Sequence, residues 1–337
     1  MPDMNKQQRE QLPTASDEQP QFGSIENPGL MLADEEGTTL EKRGAYAAPE
    51  VQGPQSKPRG AWGEAWRELR HNPSFYVSGV LLLFLIFMAF FPGVFTDIDP
   101  RHCPILDTNK DPSGDHWFGT NVQGCDVYAR TVFGARASII VGVATTALIV
   151  VIGGLIGALS GYFGGWLDTI LARVTDIFFG IPLLLAALVF MSSFKDRTVW
   201  TVVAALGIFG WMQIARIMRG SVITVKKSDY VVAARALGAG TGRILGRHVL
   251  PNAIAPVIVV ATISLGTFIA TEATLSFLGI GLPPTEISWG ADISSATTAL
   301  RDSPYQLIFP SIFLSVTVFS FILLGDAVRD ALDPKLR

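Results

Sequence analysis

Few residues in this 337-residue chain have the types and spacing that do chemistry. A nucleotide phosphate cradle needs a glycine-rich turn ending in Lys-Ser or Lys-Thr. The nearest glycine cluster, Gly238-Ala239-Gly240-Thr241-Gly242, lacks that ending and follows no strand signal. There is no H-E-x-x-H pair, no G-x-S-x-G elbow and no zinc-spaced set of Cys and His. His71, His102, His116 and His248 are scattered, and each alone reads as a solvated boundary residue rather than a metal ligand. The expectation is a chain that performs no catalysis and holds no metal or cofactor. Three features remain: a lone carboxyl at Glu272, a cysteine pair at Cys103 and Cys125, and a small-residue stretch from Ser228 to Asn252.

The elements that must position them are apolar. The chain is 49% hydrophobic with a mean hydropathy of +0.38. Only 16% of residues are charged, against about 25% in ordinary soluble domains. Two cysteines exclude a disulfide-dense scaffold. A net charge of −3 and an isoelectric point near 5.8 argue against nucleic-acid binding. Asp, Glu, Lys and Arg are absent between Arg70 and Asp97, Arg136 and Asp168, Asp176 and Lys195, Arg197 and Arg216, Arg247 and Glu272, and Asp302 and Asp326. Each window holds at least 18 residues, and a bilayer core takes about 20 as helix. Helices buried in a soluble bundle seldom lack charge on every face. The pattern predicts an all-α polytopic membrane protein with six transmembrane helices, at about 75–95, 137–160, 177–194, 198–216, 253–275 and 306–326. Lys195-Asp196-Arg197 makes the third and fourth a tight hairpin.

Lys and Arg set the orientation. With the N-terminus inside, the inner face collects Lys57, Arg59, Arg67 and Arg70, then Arg219, Lys226, Lys227, Arg235, Arg243 and Arg247, then Arg329, Lys335 and Arg337. Both termini are therefore expected in the cytoplasm of a cell-membrane protein. The first 60 residues show no apolar signal segment. Residues 1–50 carry ten acidic and four basic side chains, so 1–60 reads as a disordered acidic tail that buries too little apolar surface to order itself. Residues 61–337 form the membrane domain.

After the fourth span, Ser228 or Asp229 can cap a short helix, and Gly238 can end it in the left-handed conformation. Pro251 restarts the chain into span five. A short surface helix held between two spans can pass force from a partner to both. Glu272 lies one to two turns inside the outer end of span five, where a carboxyl faces water or protein rather than lipid. It reads either as a polar point on a translocation path or as a packing residue. Gly153, Gly157 and Gly161 recur every four residues and share one face, which suits close helix contact inside the chain or with a partner. Cys103 and Cys125 fall in one outer segment. They read as a disulfide, which an oxidising exterior would preserve, or as two thiols.

The 228–252 stretch resembles the "EAA" loop of ABC importer permeases: Ala233, Ala234, Gly238, Ile244 and Leu250-Pro251 match, and Val232 stands where that loop has Glu. Other segments resemble the C-type permease of the peptide and nickel branch. These are His116-Trp117-Phe118-Gly119-Thr120-Asn121, Gly124-Cys125-Asp126-Val127-Tyr128-Ala129-Arg130 and Gly134-Ala135-Arg136-Ala137-Ser138. Leu275-Ser276-Phe277-Leu278-Gly279-Ile280-Gly281, Pro283-Pro284, Ser288-Trp289-Gly290, Leu324-Gly325-Asp326 and Asp330-Ala331-Leu332-Asp333-Pro334 complete the series. Asn121 and Cys125 depart from an acid and an Arg. The resemblance implies a type I ABC importer permease fold and a peptide, glutathione-like or nickel-chelate cargo. It implies a homologous permease beside this chain, two ATPases that bind ATP and Mg below, and an extracytoplasmic binding protein above. It places the ATPase contact at Ala233, Ala234, Arg235, Leu237, Gly238, Ala239 and Ile244. A secondary transporter would instead need midplane carboxylates and internal repeats.

Overall fold

The computed structural model describes residues 61–283 and 285–332. The expected acidic tail at 1–60 and the last five residues lie outside the described residues. All regular structure among the described residues is helical, and one isolated bridge joins Thr120 and Asp126.

The helices are α1 (Ala61–Leu69), α2 (Pro73–Phe90), α3 (Val127–Phe163), α4 (Gly165–Phe179), α5 (Leu183–Ser192), α6 (Val199–Gly210) and α7 (Met212–Val225). There follow α8 (Asp229–Ala236), a turn α9 (Thr241–Arg243), α10 (Leu250–Ala253), α11 (Ala255–Phe277), α12 (Trp289–Ala296) and α13 (Tyr305–Leu332). α2, α3, α11 and α13 are each long and apolar enough to cross a membrane. The pairs α4–α5 and α6–α7 qualify only as bent units, with bends of 79° and 46°. The described helices thus supply four spans, or six where each bent pair crosses as one. Gly180-Ile181-Pro182 causes the first break: a proline lacks the amide hydrogen that would continue the helix and disfavours helical backbone in the residue before it.

Local chemistry starts the helices where the chain needs them. Asn72 accepts a hydrogen bond from Ser74 N at 2.9 Å, with Pro73 at the first helical position of α2. Asp126 accepts from Ala129 N at 2.7 Å and opens α3. Thr198 and Thr201 cap α6 reciprocally. Each cap satisfies amides that have no partner within the helix. α3 starts ten residues before the span expected from charge alone and runs for 37 residues, about 55 Å.

Two apolar clusters hold the helices together. One joins α3, α6 and α7 through Val141, Ile149, Leu206, Ile214, Met218 and Val222. The other gathers α2, α3, α11 and α13 around Trp289 of α12. Trp289 is fully buried, and its indole N–H donates to Thr131 O at 2.8 Å. By contrast Val80, Leu83, Leu155, Ile177 and Val189 are exposed on the helix exteriors, as a hydrocarbon solvent requires.

Candidate functional site

At one end of the bundle α7 finishes and the chain enters α8. Asp229 sits in the first turn of α8 and Arg235 in the last, the arrangement that complements the helix dipole. The C-terminus closes by two bonds, Gly238 N to Arg235 O and Ala239 N to Ala234 O, each 3.0 Å. This Schellman closure needs a residue with positive φ, and Gly238 supplies it at +82°. Within α8 the only buried side chain is Val231, which joins the apolar cluster of α7. Tyr230, Val232, Ala233 and Ala236 are exposed, and Leu237 at the cap is 87% exposed. A short helix pinned by one valine thus offers an apolar face to whatever lies beyond it.

The return path from α8 is anchored by a few buried residues. Ile244 is 2% exposed, and with Val249 it packs into the same cluster as Val231. One stretch of π-helix, Ile244–Val249, precedes Pro251. Proline cannot donate to the carbonyl four residues earlier and crowds it, which fits a locally widened turn. Of the seven residues expected at the ATPase contact, Ala233, Ala234, Arg235, Leu237, Gly238 and Ala239 come together on α8 and its cap, with Ala239 half-buried. Ile244 does not: it is an internal anchor of the loop.

The glycine face of α3 lies against α7 of the same chain. A Cβ at Gly153 would sit 2.5 Å from Trp211 O, and one at Gly161 2.7 Å from Arg219 O. Of the two readings of this face, internal packing holds. Ion pairs then tie α4 to α7. Arg219 donates to both oxygens of Asp168 at 2.6 and 2.7 Å, and Ser160 donates to the same carboxylate. Arg216 donates to Asp176 at 2.8 Å and stacks over Phe179 at 3.9 Å.

At the opposite end, Cys103 and Cys125 form a disulfide with Cα atoms 4.1 Å apart. Asp126, the residue after Cys125, caps α3 and accepts from His116 Nδ1 at 2.8 Å. Arg130 donates through Nε to Asp292 Oδ1 at 2.8 Å, joining α3 to α12.

Glu272 is fully buried in α11. Its carboxylate accepts from Ser276 at 2.8 Å, Ser138 at 3.1 Å and Ser288 at 3.2 Å. Ser288 also caps α12 by accepting from Ala291 N. The carboxylate therefore fastens α3 and the start of α12 to α11, and in this conformation it touches no surface that a cargo reaches. Glu272→Ala would strand three buried hydroxyls, each worth about 1–3 kcal/mol when unpaired. Glu272→Ala is expected to lower the melting temperature in detergent far more than Glu272→Gln, which keeps one acceptor.

Three of these contacts had no local signal. Asp168–Arg219, Arg130–Asp292 and Trp289–Thr131 join residues 51, 162 and 158 positions apart.

Comparison with known proteins agrees with this geometry. Residues 153–337 match the family described as binding-protein-dependent transport system inner membrane component. Residues 60–112 match the N-terminal TM domain of oligopeptide transport permease C. The oligopeptide transport system permease protein OppC of Bacillus subtilis (strain 168) is 41% identical over 82% of this chain and 90% of its own length. The dipeptide transport system permease protein DppC of the same organism is 38% identical over 81% of this chain and 86% of its own. Among solved structures, a chain of the MetNI methionine ABC transporter in inward-facing conformations superposes with a TM-score of 0.50 at 19% identity, covering 60% of this chain and 96% of that one. That likeness is one of fold.

Proposed function

Because the chain belongs to the family of binding-protein-dependent transport system inner membrane components, we propose that it is the permease subunit of an ATP-driven importer of dipeptides or oligopeptides. Its likeness to oligopeptide and dipeptide permeases supports the cargo class. In this reading the chain lies in the cell membrane with α8 and both termini on the cytoplasmic side and the disulfide-bridged segment outside. A homologous permease stands beside it. Two cytoplasmic ATPases bind ATP and Mg, and an extracytoplasmic binding protein delivers the cargo. The chain itself catalyses nothing.

The observation that carries the mechanism is α8, a helix with one buried anchor and an otherwise exposed apolar surface. An ATPase cleft receives that surface. When ATP draws the ATPase pair together, α8 is displaced, and its two flanks follow. On one side α7 moves against the glycine face of α3. On the other, the Ile244–Val249 turn, anchored at its two buried ends, carries the displacement into α11. ATP can drive transport only if the access states differ in their contacts with the ATPases; the position of α8 is that difference.

The test is recovery of the tagged chain from its native membranes, followed by reconstitution in liposomes. The expected result is a second permease and ATPase subunits in the eluate, and uptake of labelled trialanine that requires ATP and the binding protein. Uptake by the isolated chain that persists after ATP depletion would overturn the reading in favour of a secondary carrier.

A further inference from the structure

A sizeable cavity lies at the disulfide end. It is an open groove of about 700 Å³, bounded by the segment after α2, one face of α3, the start of α6 and the loop before α12. Ligand sites commonly measure about 300–1,000 Å³. Phe133, Arg136 and Ile140 are spaced three and four residues apart and turn one stripe of α3 into the groove. Phe133 and Ile140 make that wall apolar around Arg136. Asp97 and Glu286 also line the groove.

The charges in this groove are unequal in their engagement. Asp99 accepts from Arg101 N at 2.9 Å, and the Arg101 guanidinium reaches Thr285 O at 3.5 Å. The side chains of Arg136, Asp97 and Glu286 have no hydrogen bond or ion pair among the described residues. Elsewhere on the helices Arg130 pairs with Asp292, Arg216 with Asp176 and Arg219 with Asp168, whereas Arg136 lies exposed in the groove. A groove that keeps one cation and two carboxylates uncommitted, with apolar side chains between, is complementary to a molecule bearing an anion, a cation and apolar groups. A free peptide is such a molecule.

We propose that this groove is a peptide-binding vestibule in which Arg136 receives the terminal carboxylate and Asp97 and Glu286 receive the terminal ammonium. The proposal rests on the peptide-importer reading above and adds a site for the cargo within this chain. Arg136 has the stronger role, because a guanidinium can grip a carboxylate through two parallel hydrogen bonds.

The test uses the full reconstituted complex with its binding protein. A photo-crosslinking residue, p-benzoylphenylalanine, replaces Phe133, and the probe is radiolabelled trialanine. The expected result is label on this chain at position 133. In the otherwise unmodified complex, Arg136→Gln is expected to lower trialanine uptake roughly 10- to 100-fold, the scale of one hydrogen-bonded charge contact, while Arg136→Lys, which keeps the charge and loses the paired hydrogen bonds, is expected to lower it less. Arg136 is exposed, so the variants are expected to assemble normally, checked by ATPase co-purification. Crosslinking to the binding protein or the second permease in place of the peptide would overturn the proposal, as would Arg136→Gln with unchanged uptake. If the parental complex imports no peptide at all, the peptide reading itself falls, and the vestibule with it.

Discussion

Leu237→Glu is expected to uncouple the transporter without unfolding it. Leu237 is 87% exposed in the isolated chain, so a charge there costs the fold little. If the ATPase buries it, an unpaired carboxylate meets an apolar cleft. Truncating or disrupting a central apolar contact of an interface costs roughly 2–4 kcal/mol, about 30- to 1,000-fold in affinity. The measurement is ATPase co-purification alongside ATP-driven uptake, with the melting temperature as control. A variant that retains its ATPase and transports at the parental rate would show that the contact lies elsewhere. Gly238→Val reaches the same element differently. Nothing lies within 4 Å of the position a Cβ would take, so the substitution causes no clash. It forces a β-branched residue to φ +82°, at a cost of about 1–3 kcal/mol, and loosens the cap that presents Leu237. It should weaken coupling less than Leu237→Glu does.

Gly157→Leu is expected to act on stability and transport together. A Cβ at Gly157 would lie 2.8 Å from Met218 Cβ and 3.0 Å from Arg219 N, so α7 has to move away from α3. Overpacking a fitted core costs about 1–3 kcal/mol. Displacing α7 also shifts Arg219 from Asp168 and carries α8 out of register. Loss of most ATP-driven uptake and a lower melting temperature should appear together. Gly154 is the control, since its Cβ would meet nothing within 4 Å. Equal damage from Gly154→Leu and Gly157→Leu would remove the α3–α7 seam from the mechanism.

The legible part of the fold is the part governed by local composition. The charge-free windows locate α2, α11 and α13 closely, whereas α4 runs through Asp168, Arg173 and Asp176 and α7 through Arg216 and Arg219, so the expected spans at 177–194 and 198–216 leave out charged turns of those helices. The clearest misreading is at the start of α3. A rule that stops a span at the first charge leaves out Val127–Arg136, yet this stretch is helical and largely buried. Arg130 is tolerated there because Asp292 arrives from far along the chain. The bend between α4 and α5 had a visible cause in Gly180 and Pro182, which counting charges ignores.

The short helix α8 was legible to its cap, because Gly238 acts on backbone groups a few residues away. Motif resemblance also gathered the residues proposed to meet the ATPase, yet only packing separates Leu237, which faces outward, from Ile244, which is 2% exposed. Glu272 marks the same boundary. Its sequence neighbours announce a costly carboxyl within an apolar helix, and both a path and a packing role satisfy that cost. In this conformation Ser138 of α3, Ser276 of α11 and Ser288 before α12 hold it in a packing role. Composition and short-range hydrogen bonding are properties of neighbouring residues, so the sequence by itself determined the membrane class, the long apolar helices and the short surface helix. Which face of α3 meets α7, which carboxylates find an arginine, and which charges stay free in the groove beside Arg136 depend on residues brought together from 50 to 160 positions apart. Only the tertiary structure decides those.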